Sequence, residues 1–194
     1  MGIIIRQSIK GSLWSYLGVV IGFVTTAYLY PNYLTTDMVG LFSLLLSYST
    51  LFGQFSLLGI HGVTSRLFPI FRDKERNHNS FLSLAFLFFV IGFFLFLVLY
   101  FLFAPYLIET NQENSKLFAD YVFLLVPLTF FTMIFIELDT YNKVLYDAVP
   151  GIFLQDFLQR VLLFFTTVLL ALKVIDLNQF VLAFTFVVSV KAVI

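Results

Sequence analysis

The chain has 194 residues, 60% hydrophobic, 20% aromatic and only 11% charged, whereas a soluble domain carries roughly a quarter charged residues and under half apolar ones. Eleven Lys plus Arg balance 11 Asp plus Glu; these are too few to clothe a water-exposed globule, and they leave no basic field to hold nucleic acid through its phosphates. The absence of cysteine excludes disulfide frameworks, thiolate metal sites and cysteine nucleophiles.

A spanning helix needs about 20 mostly apolar residues. Stretches free of Asp, Glu, Lys and Arg cover 11–36, 38–65 and 77–108 and predict three spans at 12–32, 39–60 and 81–104. A fourth, 117–137, is completed by letting terminal charges, Glu137 among them, snorkel to the interface. The fifth has a charge-free core only at 161–172 and is extended to 152–174. The sixth, 178–194, runs into the last residue, which predicts that the chain is an N-terminal fragment of a longer protein. Barrel strands would alternate apolar and polar over about ten residues, so the predicted fold is an all-α transmembrane bundle of about six spans, forming one domain over 1–194. Turn residues Pro31, Pro105 and Pro150 are expected between spans, and Pro127 within the fourth, kinking it.

Cations set the orientation. Arg6, Lys10, Arg66, Arg72, Lys74, Arg76, Lys143 and Arg160 fall on one side, with only Lys116 and Lys173 opposite, which predicts a cytoplasmic N-terminus. The first segment is too long for a signal peptide and lacks a cleavage pattern.

The first span sets Gly11, Ser15, Gly18, Gly22 and Thr26 near one face, and its Gly18-x-x-x-Gly22 pair suits close helix packing better than cavity lining. In the second, Gly40, Ser43, Ser47, Thr50, Gln54 and His61 advance by threes and fours, with Leu57 in the one missing place. Two readings of this stripe stand side by side. It is either the wall of a water-accessible cavity, with Ser47, Thr50 and Gln54 as substrate contacts, or polar glue between helices. His61 reads as a hydrated interface residue rather than a proton relay. The third span, with nine Phe between Phe81 and Phe103, is expected on the lipid-facing outside.

Charges at membrane depth are costly and point to function. Asp156 and Arg160, four apart, share a helix face. A helix starting at Gly151 carries Arg160 about 15 Å into the membrane, where it could meet an anionic head group. A helix starting near Phe157 makes it an interfacial anchor paired with Asp156, the placement that snorkelling favours. The loop over 72–79 reads as a solvated turn. The connector over 138–149 holds Asp139, Asn142 and Lys143, either a gate or a solvated loop with Tyr141 and Tyr146 at the interface.

No nucleotide-binding glycine loop, serine elbow or zinc-protease motif is present, so neither catalysis nor a cofactor has a seat, and no metal site is expected. A bundle with a polar-faced helix and no nucleotide site suits a secondary transporter.

Lys10-Gly11-Ser12, Pro31-Asn32-Tyr33-Leu34-Thr35, Val39-Gly40-Leu41-Phe42, Leu58-Gly59-Ile60 followed by Arg66, and Asp139-Thr140-Tyr141-Asn142-Lys143-Val144-Leu145 resemble, in order and spacing, the N-terminal half of polysaccharide biosynthesis flippases. These are O-antigen-type members of the multidrug/oligosaccharidyl-lipid/polysaccharide exporter superfamily. The resemblance implies one half of a two-lobed, multi-pass transporter in a bacterial inner (plasma) membrane. It would carry lipid-linked oligosaccharide to the outer leaflet by alternating access, with polysaccharide assembly proteins as further partners. The implied cavity is cationic. Unlike related lipid-precursor flippases, this chain has no arginine inside its first two spans, so the cationic site for the pyrophosphate would come from Arg66, Arg160, Lys191 or the other half of the transporter. Two alternatives are a cation-coupled drug antiporter of the same superfamily, disfavoured because the first three spans carry no carboxylate, and a non-transporting membrane scaffold.

Overall fold

A computed structural model describes residues 2–71, 81–111 and 116–194. The predicted loop over 72–79, with Arg72, Lys74 and Arg76, lies outside the described residues. The described chain is helical throughout, without strands. Five helices are long and apolar enough to cross a membrane: Ile5–Tyr33, Thr36–Ser56, Ser83–Asn111, Phe118–Val144 and Val149–Ala171, referred to below as the first to fifth spans. The sixth segment forms a helix at Leu177–Val190, of 14 residues. At 1.5 Å per residue it is about 21 Å long, short of a hydrocarbon core of about 30 Å.

Proline placement departs from expectation in a consistent way. Pro31 does not end the first span. A π-helical turn at Thr25–Leu29 gives way to a fresh turn at Tyr30–Tyr33, with the proline in its opening positions, where a missing N–H matters least. Pro150 likewise opens the fifth span. Pro105 lies inside the third helix, as membrane helices allow when neighbours and local adjustments satisfy the freed carbonyl. Pro127 does disturb the fourth span, but upstream: a 3-10 stretch at Val122–Leu124 precedes Leu125–Val144, since the ring clashes with the carbonyl four residues earlier.

The second span starts under Thr35, whose hydroxyl accepts a hydrogen bond from the Met38 amide at 3.4 Å. It stops at Ser56, and a separate helix, Ile60–Phe71, follows. Between them Leu58 and Gly59 take φ of +52° and +77°, and the ladder is replaced by turn-type bonds, Leu58 N to Phe55 O and Ile60 N to Leu57 O. A Cβ on Gly59 would meet nothing within 4 Å, so only its backbone angle requires glycine. Gly59→Ala is expected to cost about 1 kcal/mol, read as a small fall in the thermal unfolding temperature of the solubilised protein.

Packing sorts the helices into two groups. The first span lies along the fifth, whereas the second packs on the fourth and third, and the Ile60–Phe71 helix packs on the fourth. The Leu177–Val190 helix touches both the fifth and the fourth spans, joining the groups. The main core gathers Leu41, Phe42, Leu45, Phe96, Leu125, Leu128, Phe180 and Phe184. The third span buries the row Ala85, Phe89, Phe96 and Tyr100 and turns Phe86, Phe94, Phe101 and Phe103 outward, the outer position expected of it.

Candidate functional site

The seam between the first and fifth spans is built on missing side chains. A Cβ on Gly18 would stand 1.8 Å from the backbone oxygen of Asp156, and one on Gly22 would stand 3.3 Å from Arg160. Gly11 meets Ile152 in the same way. The small-residue face is therefore a packing face, as its spacing indicated. Trp14 closes the seam with its ring centroid 4.8 Å from those of Phe153 and Phe157.

Asp156 and Arg160 do not pair. The fifth span begins at Val149, so Arg160 stands about 16 Å along the helix axis, and the helix starts before Asp156 rather than near Phe157. Phe153–Leu158 is π-helical, and the wider turn spoils the stacking of residues four apart on which the expected pair depended. Asp156 instead accepts a 2.5 Å hydrogen bond from the Ser15 hydroxyl. Arg160 turns to Gly22 and lines a cavity of about 410 Å³ with Val19, Phe23, Thr25, Thr26, Tyr30 and Leu163. Among the described residues no ion pair engages its guanidinium. A second cavity of about 630 Å³ lies at the cation-bearing end of the same seam, lined by Arg6, Gln7, Lys10, Trp14, Asp147 and Phe153. Gln7 donates there to the Tyr146 carbonyl. Arg6 and Lys10 had been read only as markers of orientation.

The stripe on the second span is placed differently from either expectation. Ser43, Ser47, Thr50 and Gln54 are exposed on the outside of the bundle, because the helix buries its opposite face, Leu41, Leu45, Ser49, Gly53 and Ser56. They line neither seam cavity. The break after Ser56 also changes the helical phase, so Leu57 is fully buried and His61 leaves the stripe. Arg66 is exposed on the Ile60–Phe71 helix, which packs on a different group from the helix bearing Arg160; the two candidate anion-binding arginines are not brought together.

His61 joins a cluster that the sequence reading missed. Glu137, expected to snorkel at a helix end, is buried at 7% exposure. Its Oε1 accepts from the Thr64 hydroxyl at 3.2 Å, while its Oε2 and the His61 Nδ1 are buried without a hydrogen-bond partner among the described residues. No local pattern signals this contact, which joins residues 73 apart. One turn on, Phe68 packs edge-on against Tyr141, ring centroids 5.3 Å apart.

In the connector, Lys143 donates to Asp139 at 2.5 Å. Asp139 crowds Gly151, where a Cβ would meet its Oδ1 at 1.8 Å. Asn142 uses its carbonyl to close the turn, accepting from the Leu145 and Asp147 amides, and Tyr146 takes a φ of +66°. Among the described residues no three His, Asp or Glu side chains converge on a metal position.

The chain matches no family model, no curated protein and no solved structure.

Proposed function

We propose that this chain is the N-terminal lobe of a flippase that carries lipid-linked oligosaccharide across a bacterial inner membrane, its N-terminus cytoplasmic. One observation supports the reading above others: Arg160, a cation without an ion-pair partner among the described residues, lines a cavity deep along an apolar helix. A guanidinium there is expensive unless it serves an anion, and its planar fork suits pyrophosphate. Arg6 and Lys10, at the mouth of the same seam, would meet the head group first. In the two-lobed family architecture a second lobe faces the outward Ser43, Ser47, Thr50 and Gln54 edge, whose hydroxyl and amide groups then meet sugar. The Asp139–Lys143 pair would tie the connector at the cytoplasmic end.

The test is retention of undecaprenyl-pyrophosphate-linked oligosaccharide by the purified chain in lipid nanodiscs. Arg160→Ala is expected to weaken binding roughly ten- to hundredfold, the equivalent of a charge-assisted hydrogen bond of about 1.5–3 kcal/mol. Arg160→Lys, which keeps the charge but loses the fork, should lie between Ala and wild type. Equal binding by wild type and Arg160→Ala removes Arg160 from the site. Capture of lipophilic cationic dyes in competition with protons would instead indicate an antiporter, a reading to which the buried Glu137 lends its one specific support. Binding of neither would indicate a scaffold.

A further inference from the structure

Glu137 and its surroundings belong to neither the seam nor the outward stripe. The residue sits in the fourth span, roofed by the Ile60–Phe71 helix and bordered by the third span. It contributes its stem to an apolar cavity of about 270 Å³ otherwise lined by Ala85, Phe86, Phe89, Phe130, Ile134 and Leu138. Its carboxyl group takes the hydrogen bond from Thr64, and His61 stands one turn before Thr64 on the same helix.

A carboxylate in such a place needs its lone pairs occupied, and a single donor, Thr64, serves only one oxygen. The other oxygen has no donor among the described residues. Leaving it ionised and unserved is strongly disfavoured. A cation of hard-oxygen type would need more ligands than one carboxylate and one hydroxyl, and among the described residues no three His, Asp or Glu side chains converge here. The ligand that completes Glu137 with a single bond is a proton.

Among the described residues, access comes from one direction. The third span lines the cavity with Ala85, Phe86 and Phe89. On the fourth span itself Asp139 accepts from Lys143 through Oδ2, while its Oδ1 is buried without a hydrogen-bond partner among the described residues. From the end of the last helix Lys191 lies over the Phe135 ring, 4.8 Å from its centroid, with Asp139 the charged group that acts on it. From the Ile60–Phe71 helix come Thr64, the solvent-exposed Arg66 on the outer side, and His61. His61 is partly exposed, stands one turn before Thr64 on the same helix, and carries a buried Nδ1 with no hydrogen-bond partner among the described residues. Imidazole is the side chain suited to passing a proton between water and a buried base near neutrality.

We infer that Glu137 is a proton-binding site and that His61 is the positioning and relay group through which it exchanges with the cation-bearing face. His61 Nδ1 and Glu137 Oε2 do not bond each other directly, so loading passes the Nδ1 proton of the imidazolium to Glu137 Oε2 through one intervening water, which gives up one proton as it gains one. The imidazole becomes neutral and the carboxylate becomes a carboxylic acid, and the water ends as it began. The site stands whether or not the chain moves a glycolipid, because it shares no residue with the Arg160 seam.

The experiment is infrared difference spectroscopy of the full chain in lipid nanodiscs across a pH titration. Wild type is expected to show a narrow carboxylic-acid carbonyl band at the high-frequency end, where water-shielded acids absorb, growing as pH falls. Glu137→Gln should abolish it, Asp139→Asn should leave it unchanged, and Glu137→Asp, which keeps a carboxyl group should the Gln variant not fold, should move it. His61→Ala is expected to slow the response of the band to a pH jump about tenfold. A wild type without the band, or a band that survives Glu137→Gln, overturns the site. An unchanged rate in His61→Ala overturns the relay. None of these readouts depends on glycolipid binding.

Discussion

Gly18→Leu is expected to break the seam between the first and fifth spans. The new Cβ would fall 1.8 Å from the Asp156 backbone oxygen and 2.7 Å from its carbon, and no rotamer change moves a backbone carbonyl aside. Leucine gains about 1 kcal/mol of helix propensity over glycine, but overpacking against a fixed neighbour costs 1–3 kcal/mol and more where backbone must shift. A net loss of about 2–3 kcal/mol follows. The chain carries a single tryptophan, and Trp14 stacks in this same seam against Phe153 and Phe157. The loss should therefore appear twice: as a fall of roughly 5–10 °C in unfolding temperature and as a red shift of Trp14 emission in the folded state. An emission spectrum like that of wild type would show the seam intact and the geometry wrong.

Gly92→Leu is the matching test in the other helix group. Gly92 of the third span lies against the end of the second, where a Cβ would meet the Ser56 oxygen at 1.7 Å, its carbon at 2.8 Å and the Met133 side chain at 3.6 Å. The predicted cost is again about 2–3 kcal/mol, but Trp14 lies on the first span, against the fifth. The expected result is a comparable fall in unfolding temperature with unchanged tryptophan emission before unfolding. Two variants with comparable loss of stability, of which only Gly18→Leu shifts the emission, would establish that the helices pack as two groups. A red shift in both would contradict that division.

Where the sequence was informative, the reason is solvent. The five spans were legible because lipid demands uninterrupted apolar length, and the outward third helix because its Phe-rich run leaves few polar atoms to bury. The seam was legible because Gly11, Ser15, Gly18 and Gly22 recur on one helical face. The features that were not legible require knowing which residues meet across the bundle. Asp156 and Arg160 were read as a pair from α-helical spacing, yet the π-helical stretch between Phe153 and Leu158 is decided by packing rather than by composition. Ser43, Ser47, Thr50 and Gln54 do form one polar edge, but periodicity says nothing about whether an edge faces in or out. Glu137 was placed at a helix end because its neighbours beyond it are polar, and only the Thr64 hydroxyl, far away in sequence, reveals that the end is covered. Leu58 and Gly59 were noticed as part of a motif, while the break they make was not, since a lone glycine is common within membrane helices.

That break alters how force travels. With turn-type bonds at Leu58 and Ile60 in place of a continuous ladder, Thr36–Ser56 and Ile60–Phe71 behave as two short levers on a common pivot rather than as one rod. A turn of either lever is not handed on through a hydrogen-bond ladder, so the fourth span, on which both levers lie, is what ties the posture of the polar edge to that of the buried acid.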